Sequence, residues 1–255
     1  MKDEVVQEGK ALYKSEMASW YGTDVFMAKF SDRQQDIGGY VSYTEDKVSK
    51  CIFFSKGTEP KVLSTISFDE TFNVETAGID GKERELSPVE LSLVNLRNLA
   101  KQQIMEDTMF VRYKKINFNI IPMIRNGEKK VYVLSGPEEN GVMIFGNDYL
   151  LTFDKKDKLK EKKKLHKNIM PFEFGNKDIV SGIHSHLPET GELITATDIC
   201  TLMLYEKFAK IKSYYVVSKE YVSIWDCKTD SLAIMTTEAW KKISGKTIEG
   251  DVKKD

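Results

Sequence analysis

Cysteine, histidine and proline are all scarce in this chain: three, three and six among 255 residues. Cys51, Cys200 and Cys227 are too few and too scattered for a disulfide framework or a zinc site built of cysteine alone, so they are expected to be idle or buried thiols. Long apolar runs are also missing. No stretch approaches the roughly 20 apolar residues of a membrane helix, and Met1-Lys2-Asp3-Glu4 lacks the apolar segment of a signal peptide. The expectation is a soluble chain without a membrane partner, cytoplasmic as written, or exported if this is a trimmed mature form. An excess of charge of one sign is absent too. The formal net charge is −1, which provides no global positive field for nucleic acid. What remains, 41% hydrophobic and 30% charged residues, is ordinary globular composition with enough apolar material for a core.

Residues 4–20 are helix-compatible, with Val5, Leu12, Met17 and Trp20 loosely on one side, and Tyr21-Gly22-Thr23-Asp24 is expected to end that helix. Between 36 and 68 the period changes to short β-rich runs parted by Thr44-Glu45-Asp46-Lys47 and Gly57-Thr58-Glu59-Pro60, which predicts a three-stranded meander. Ser87-Pro88-Val89-Glu90 offers an N-cap serine, proline at the first helical position and glutamate three residues after the cap. The following stripe Val89, Leu93, Leu96, Ala100, Ile104 predicts a long helix over 88–112 lying across a sheet.

Arg125-Asn126-Gly127-Glu128 between β-rich runs predicts a tight hairpin, and further strands are expected at 142–145 and 149–153. The run from Lys155 to Lys167 holds eight lysines, interrupted by Asp157 and Glu161 and without aromatic residues to stack on bases, so it reads as a solvated hairpin. Strands at 214–218, 221–225 and 232–235 close the pattern. No linker or repeat divides the chain. One domain over 1–240 is expected, with 70–175 as an inserted subdomain and 241–255 as a flexible tail.

The residues that carry chemistry are His184-Ser185-His186 and Thr195-Ala196-Thr197-Asp198. The run Asp178 to Ile183 is apolar enough for a strand, and Ile199 to Phe208 has helical spacing. Side chains repeat every second residue along a strand, so both histidines leave its end on one side, and the next helix returns an aspartate to them. Two imidazoles and a carboxylate leave one position for water, the arrangement of catalytic zinc. The structural alternative for Thr195 and Asp198 is a capping box, and the two roles are compatible.

These motifs resemble the JAMM/MPN+ (JAB) metalloproteases, whose signature is His-[Ser/Thr]-His, a loop of usually seven residues, then Ser-x-x-Asp, with a separate upstream glutamate. The resemblance covers about 178–226. It implies an α/β (α+β) fold, a twisted and mostly antiparallel sheet flanked by helices with cytidine deaminase-like layering, here with a large insertion. It also implies one zinc per chain, held by His184, His186 and Asp198, and hydrolysis of a peptide or isopeptide bond by a metal-activated water. The substrate would be a peptide, a protein or a small amide.

Three departures stand out. The loop Leu187–Ile194 has eight residues, threonine replaces the serine, and the nearest match to the upstream glutamate is Asp36, in Asp36-Ile37-Gly38-Gly39. Asp36 is the leading candidate for general base, with Glu16 and Glu45 weaker and Glu189 and Glu192 available in the loop. Thr195 is the better candidate for supporting the oxyanion, because Ser185 lies between the histidines and points to the opposite face. His166, the third histidine, is either a solvent-facing member of the lysine run or an additional participant. Besides the hydrolase, two other functions fit: a JAB-like binding or scaffold module with little turnover, and a metal-dependent amidase acting on small molecules.

Overall fold

The computed structural model describes residues 2–174 and 180–245. The N-terminal helix α1 (Lys2–Lys29) is longer than expected. Gly22 does not stop it, because it is a contact point: a Cβ there would lie 2.7 Å from the Cβ of Cys51. The helix therefore continues and buries Val25 and Phe26 against the first sheet. That sheet is the expected meander, β1 (Ile37–Glu45), β2 (Val48–Ser55) and β3 (Lys61–Phe68), edged by the short strands β4 (Gly78–Asp80) and β5 (Arg84–Glu85). On its other side Leu12 of α1 packs with Ile121, Leu134 and Cys200, so the helix is enclosed between layers.

Helix α2 (Pro88–Glu106) begins at the predicted capping box, with Ser87 Oγ and the Glu90 carboxylate exchanging hydrogen bonds with each other's backbone N–H. It stops six residues earlier than residue 112, because Asp107 leaves helical geometry and accepts a hydrogen bond from the Met109 N–H. Its stripe Leu96, Ala100, Ile104 packs on Val131, Val133 and Leu151. Burying a side chain such as Leu96 contributes about 2 kcal/mol. The sheet beneath has strand order β10-β9-β7-β6. Strands β6 (Ile116–Arg125) and β7 (Glu128–Pro137) form the predicted hairpin, with Asn126 and Gly127 both at positive φ.

After β7 come β8 (Val142–Gly146), β9 (Tyr149–Phe153), β10 (Leu159–Lys164) and β11 (Ile169–Glu173), with β11 pairing β8. The lysine run does form the expected hairpin arm, β10 against β9. The last sheet has order β12-β13-β14-β15: β12 (Ser181–Ser185), β13 (Ser213–Val217), β14 (Tyr221–Asp226) and β15 (Ser231–Thr236). Its β12–β13 pair is parallel and is connected through helix α3 (Ala196–Ala209), while the other pairs are antiparallel. Of the strand expected from Asp178, Asp178 and Ile179 lie outside the described residues.

The fold is α+β, with antiparallel sheets flanked by helices. It differs from the expected single sheet: among the described residues the strands group into four separate sheets. The expected tail from 241 also begins inside a helix, α4 (Thr237–Ser244), capped by Thr236 and anchored by Trp240 against Tyr215. Residues 246–255 lie outside the described residues. No helix among the described residues is long and apolar enough to cross a membrane.

Candidate metal centre

β12 lies at the edge of its sheet, and its parallel pairing to β13 sets His184 opposite Val216. The pairing continues one residue past the strand, where the His186 N–H donates to the Val217 carbonyl at 2.8 Å. Both imidazoles therefore emerge on the inner face and are 5% and 4% exposed. Ser185, between them, is exposed on the opposite face. Gly182 leaves room for Tyr214: a Cβ there would stand 2.4 Å from its ring. The Tyr214 hydroxyl in turn meets His184 Nδ1 at 3.1 Å.

Asp198 arrives from the first turn of α3. The Thr195 N–H and hydroxyl donate to its Oδ2 at 2.8 and 2.7 Å, while the Asp198 N–H donates to Thr195 Oγ1 at 3.1 Å. This capping box occupies one carboxylate oxygen and turns the other, Oδ1, toward the histidines, where it is buried.

His166 completes the cluster from the segment between β10 and β11. It is 3% exposed rather than solvent-facing. Its Nε2 lies 3.0 Å from His186 Nε2 and 3.1 Å from Asp198 Oδ1. His184 Nε2 and His186 Nε2 are 3.0 Å apart, and His184 Nε2 is 3.6 Å from Asp198 Oδ1. Thus His166, His184, His186 and Asp198 converge as four buried donors that could hold a metal ion.

The outward ring nitrogens fix which atoms face inward. His186 Nδ1 donates to the Leu193 carbonyl at 2.9 Å, so a neutral His186 presents an Nε2 lone pair to the centre. His166 Nδ1 faces Asp148 Oδ2 at 3.5 Å, and Asp148 Oδ1 accepts the Ser135 N–H at 3.1 Å. Such carbonyl and carboxylate partners behind imidazoles are the usual outer support of a metal site. Donors about 2.0–2.1 Å from a tetrahedral zinc stand about 3.3–3.4 Å from one another. Four of the six donor–donor separations, 3.0–3.6 Å, bracket that value, and all the donors lie within 4.8 Å of one another.

Without a metal, charge is balanced locally. Burial alone would lower the pKa of His166, but the carboxylates of Asp198 and Asp148 on either side raise it to about 10. Burial, together with the neighbouring His186 and His166, lowers His184 to about 4 against the opposing pull of Asp198. For Asp198, burial works upward, and His166 and His184 outweigh it to hold the carboxyl well below its ordinary range. Burial raises Asp148.

His184, His186 and Asp198 are thus brought together as expected from the sequence. Thr195 is adjacent, and its hydroxyl donates to Asp198 Oδ2. Asp36 is not in the cluster. It is exposed at the end of a short 3-10 turn (Ser31–Asp36) leading into β1, and among the described residues it makes no hydrogen bond or ion pair with the four donors. An aspartate before a Gly-Gly strand entry is here part of a turn, its carbonyl accepting the Lys56 N–H at 3.0 Å.

The other candidate carboxylates, Glu16, Glu45, Glu189 and Glu192, are not among the four clustered donors: Glu45 pairs with Lys50, Glu16 accepts from Asn119, and Glu189 lies near Lys167. Asp148 and Tyr214 escaped sequence reasoning. The one available clue was Leu165-His166, where an apolar residue breaks the lysine run; Leu165 is buried beside Leu12. Comparison of the chain with protein-family models, characterised proteins and solved structures finds no match.

Proposed function

We propose that this chain is a zinc protein related to the JAMM/JAB metalloproteases, in which His166 takes the position that a hydrolytic water holds in a catalytic site. The observation that carries this reading is the convergence of three imidazoles and Asp198 Oδ1 within a space 1–5% exposed. Structural zinc sites are closed by four protein ligands, whereas catalytic ones keep a position open. Charge supports the same reading. If zinc displaces the His166 proton, three neutral imidazoles remain with the Asp198 and Asp148 carboxylates, and the divalent cation takes over the charge balance that protonated His166 provides without it. Nitrogen-rich donors with one carboxylate favour zinc over calcium or magnesium, which take oxygen ligands. The JAB layering of strand, His-x-His, loop and capped helix belongs to this proposal, resting on the arrangement β12-α3-β13.

A second reading, hydrolysis of a peptide, isopeptide or small-molecule amide, is favoured by one observation. His166 comes from outside the β12-α3 frame and is backed by Asp148, so this pair could leave the donor set and act as the base in place of Asp36, which lies outside the four-donor group. Bound zinc would contribute Lewis acidity and acidify a water. His166 Nε2 would then accept the proton, with Asp148 holding the imidazole orientation.

Zinc content and turnover separate the readings. Purified protein should contain about one zinc per chain, lost in H184A/H186A. Absence of zinc under replete conditions would sink both. Turnover of a peptide, isopeptide or small-amide library that is abolished in H166A would support the hydrolase over the closed site.

A further inference from the structure

A second feature stands apart from the metal cluster. A cavity of ≈ 560 Å³ opens between α1, α3, the start of β6 and the β7–β8 connection. Its volume is within the range of small-molecule sites, about 300–1,000 Å³. Glu16, Trp20 and Asp24 recur at four-residue intervals along α1 and form one wall, and Tyr205 of α3 faces it. Glu138 and Glu139 lie on the β7–β8 side, and among the described residues no lysine or arginine lines the cavity.

Among the described residues, the charges in this cavity are unbalanced. Glu16 is nine-tenths buried; its Oε2 accepts a hydrogen bond from Asn119 Nδ2 at 2.6 Å, and among the described residues its carboxylate meets no cation. Burial raises its pKa to about 7. Glu139 is neutralised by Lys115 at 2.6 Å, whereas Asp24 and Glu138 form no ion pair among the described residues. Nearby, Tyr40 carries Arg97 over its ring at 5.4 Å, but that guanidinium is outside the cavity lining. Carboxylates at floor and rim with aromatic faces between them are the two kinds of group that attract an organic cation, by charge-assisted hydrogen bonding and by cation–π contact. An uncharged occupant would desolvate the Glu16 carboxyl without satisfying it.

The geometry points to this cavity as a binding site for an organic cation, an ammonium or guanidinium group on an aliphatic stem, with Glu16 as its anchor and the adjoining rings of Trp20 and Tyr205, 6.5 Å apart at their centroids, forming one aromatic wall beside the stem. The cation could belong to a free small amine or to a lysine or arginine side chain of a peptide. The site is independent of the metal cluster and stands whether or not zinc binds.

Calorimetric titration of the purified chain with agmatine, with the capped peptide acetyl-Gly-Arg-Gly-amide and with its norleucine counterpart tests this. A cationic probe should saturate one site with a dissociation constant below about 1 mM, and the norleucine peptide should not. Agmatine binding at least as tightly as the arginine peptide identifies a free amine as the source; tighter peptide binding identifies a side chain. E16Q should weaken the cation about tenfold, as expected for loss of one charge-assisted hydrogen bond. D24N/E138Q, on the exposed rim where folding is not at stake, should weaken it a few-fold. The proposal is overturned if no cationic probe saturates below about 10 mM, if the norleucine peptide binds equally well, or if both variants retain the parent affinity.

Discussion

Replacing Asp148 by asparagine perturbs the metal site without touching a donor. Asp148 Oδ1 accepts the Ser135 N–H and Oδ2 faces His166 Nδ1. In D148N the amide oxygen can keep the Ser135 bond, which turns the NH2 toward His166. That NH2 favours the tautomer protonated at Nε2, and a protonated Nε2 cannot bind metal. Outer partners of metal-bound histidines are typically worth about 10–100-fold in affinity, about 1.4–2.7 kcal/mol.

Unfolding entropy of about 2.1 cal/mol/K per residue over the 255 residues gives about 0.5 kcal/mol/K for the chain. Free zinc at about 100–1,000 times its dissociation constant stabilises by about 2.7–4.1 kcal/mol, an increase in Tm of roughly 5–8 °C. D148N should reduce that zinc-dependent increase by roughly 3–5 °C at the same free zinc. Differential scanning calorimetry in zinc buffers, with chelated samples as the baseline, measures it. An equal zinc-dependent increase in D148N and parent would refute the role of Asp148, and no increase in the parent would refute zinc binding.

Asp36→Ala should leave zinc content and zinc-dependent Tm unchanged, because Asp36 sits at the entry to β1; loss of metal in that variant, measured by elemental analysis, would contradict the placement. Thr195→Ala removes both the cap and the hydroxyl that holds Asp198 Oδ2, so it should lower stability by about 1 kcal/mol and also weaken zinc binding, whereas a cap alone would change only the first. Leu96→Ala, at a fully buried α2 position, should cost about 2–5 kcal/mol in chemical denaturation. At Glu90 burial favours the neutral acid, but Arg84, the Ser87 N–H and Tyr43 hold the carboxyl down at about 2 against an ordinary 4.5. The stabilisation is therefore complete above pH 4.5 and is lost as pH falls through 2. Glu90→Gln should be less stable at neutral pH and lose less stability between pH 4.5 and 2, and an acid titration parallel to the parent would contradict this.

Local rules carried far along this chain. The capping box at Ser87, the Asn126-Gly127 hairpin and the alternating meander are decided by neighbours in sequence, and each forms where those neighbours indicate. Errors arose where a distant partner decides. Gly22 resembles a helix stop until Cys51 is placed against it. Asp36 is a different case: it leads into β1, which belongs to a different sheet from β12. The same holds at the metal cluster. His184, His186 and Asp198 share one strand-loop-helix unit, so their convergence follows from the periods of strand and helix. His166 and Asp148 reach it through the pairing of β8, β9, β10 and β11, long-range contacts to which spacing gives no clue. A histidine among lysines looks solvated until Leu165 draws the chain inward.

X-ray absorption at the zinc edge of the zinc-loaded chain tests the closed four-donor centre most directly. Four nitrogen or oxygen neighbours at about 2.0–2.1 Å, three of them with the outer-shell scattering of imidazole, are predicted, with H166A falling to two imidazoles and one zinc-loaded position open to solvent. Two imidazoles in the parent, or a spectrum unchanged by H166A, would contradict the assignment of His166 as the fourth ligand.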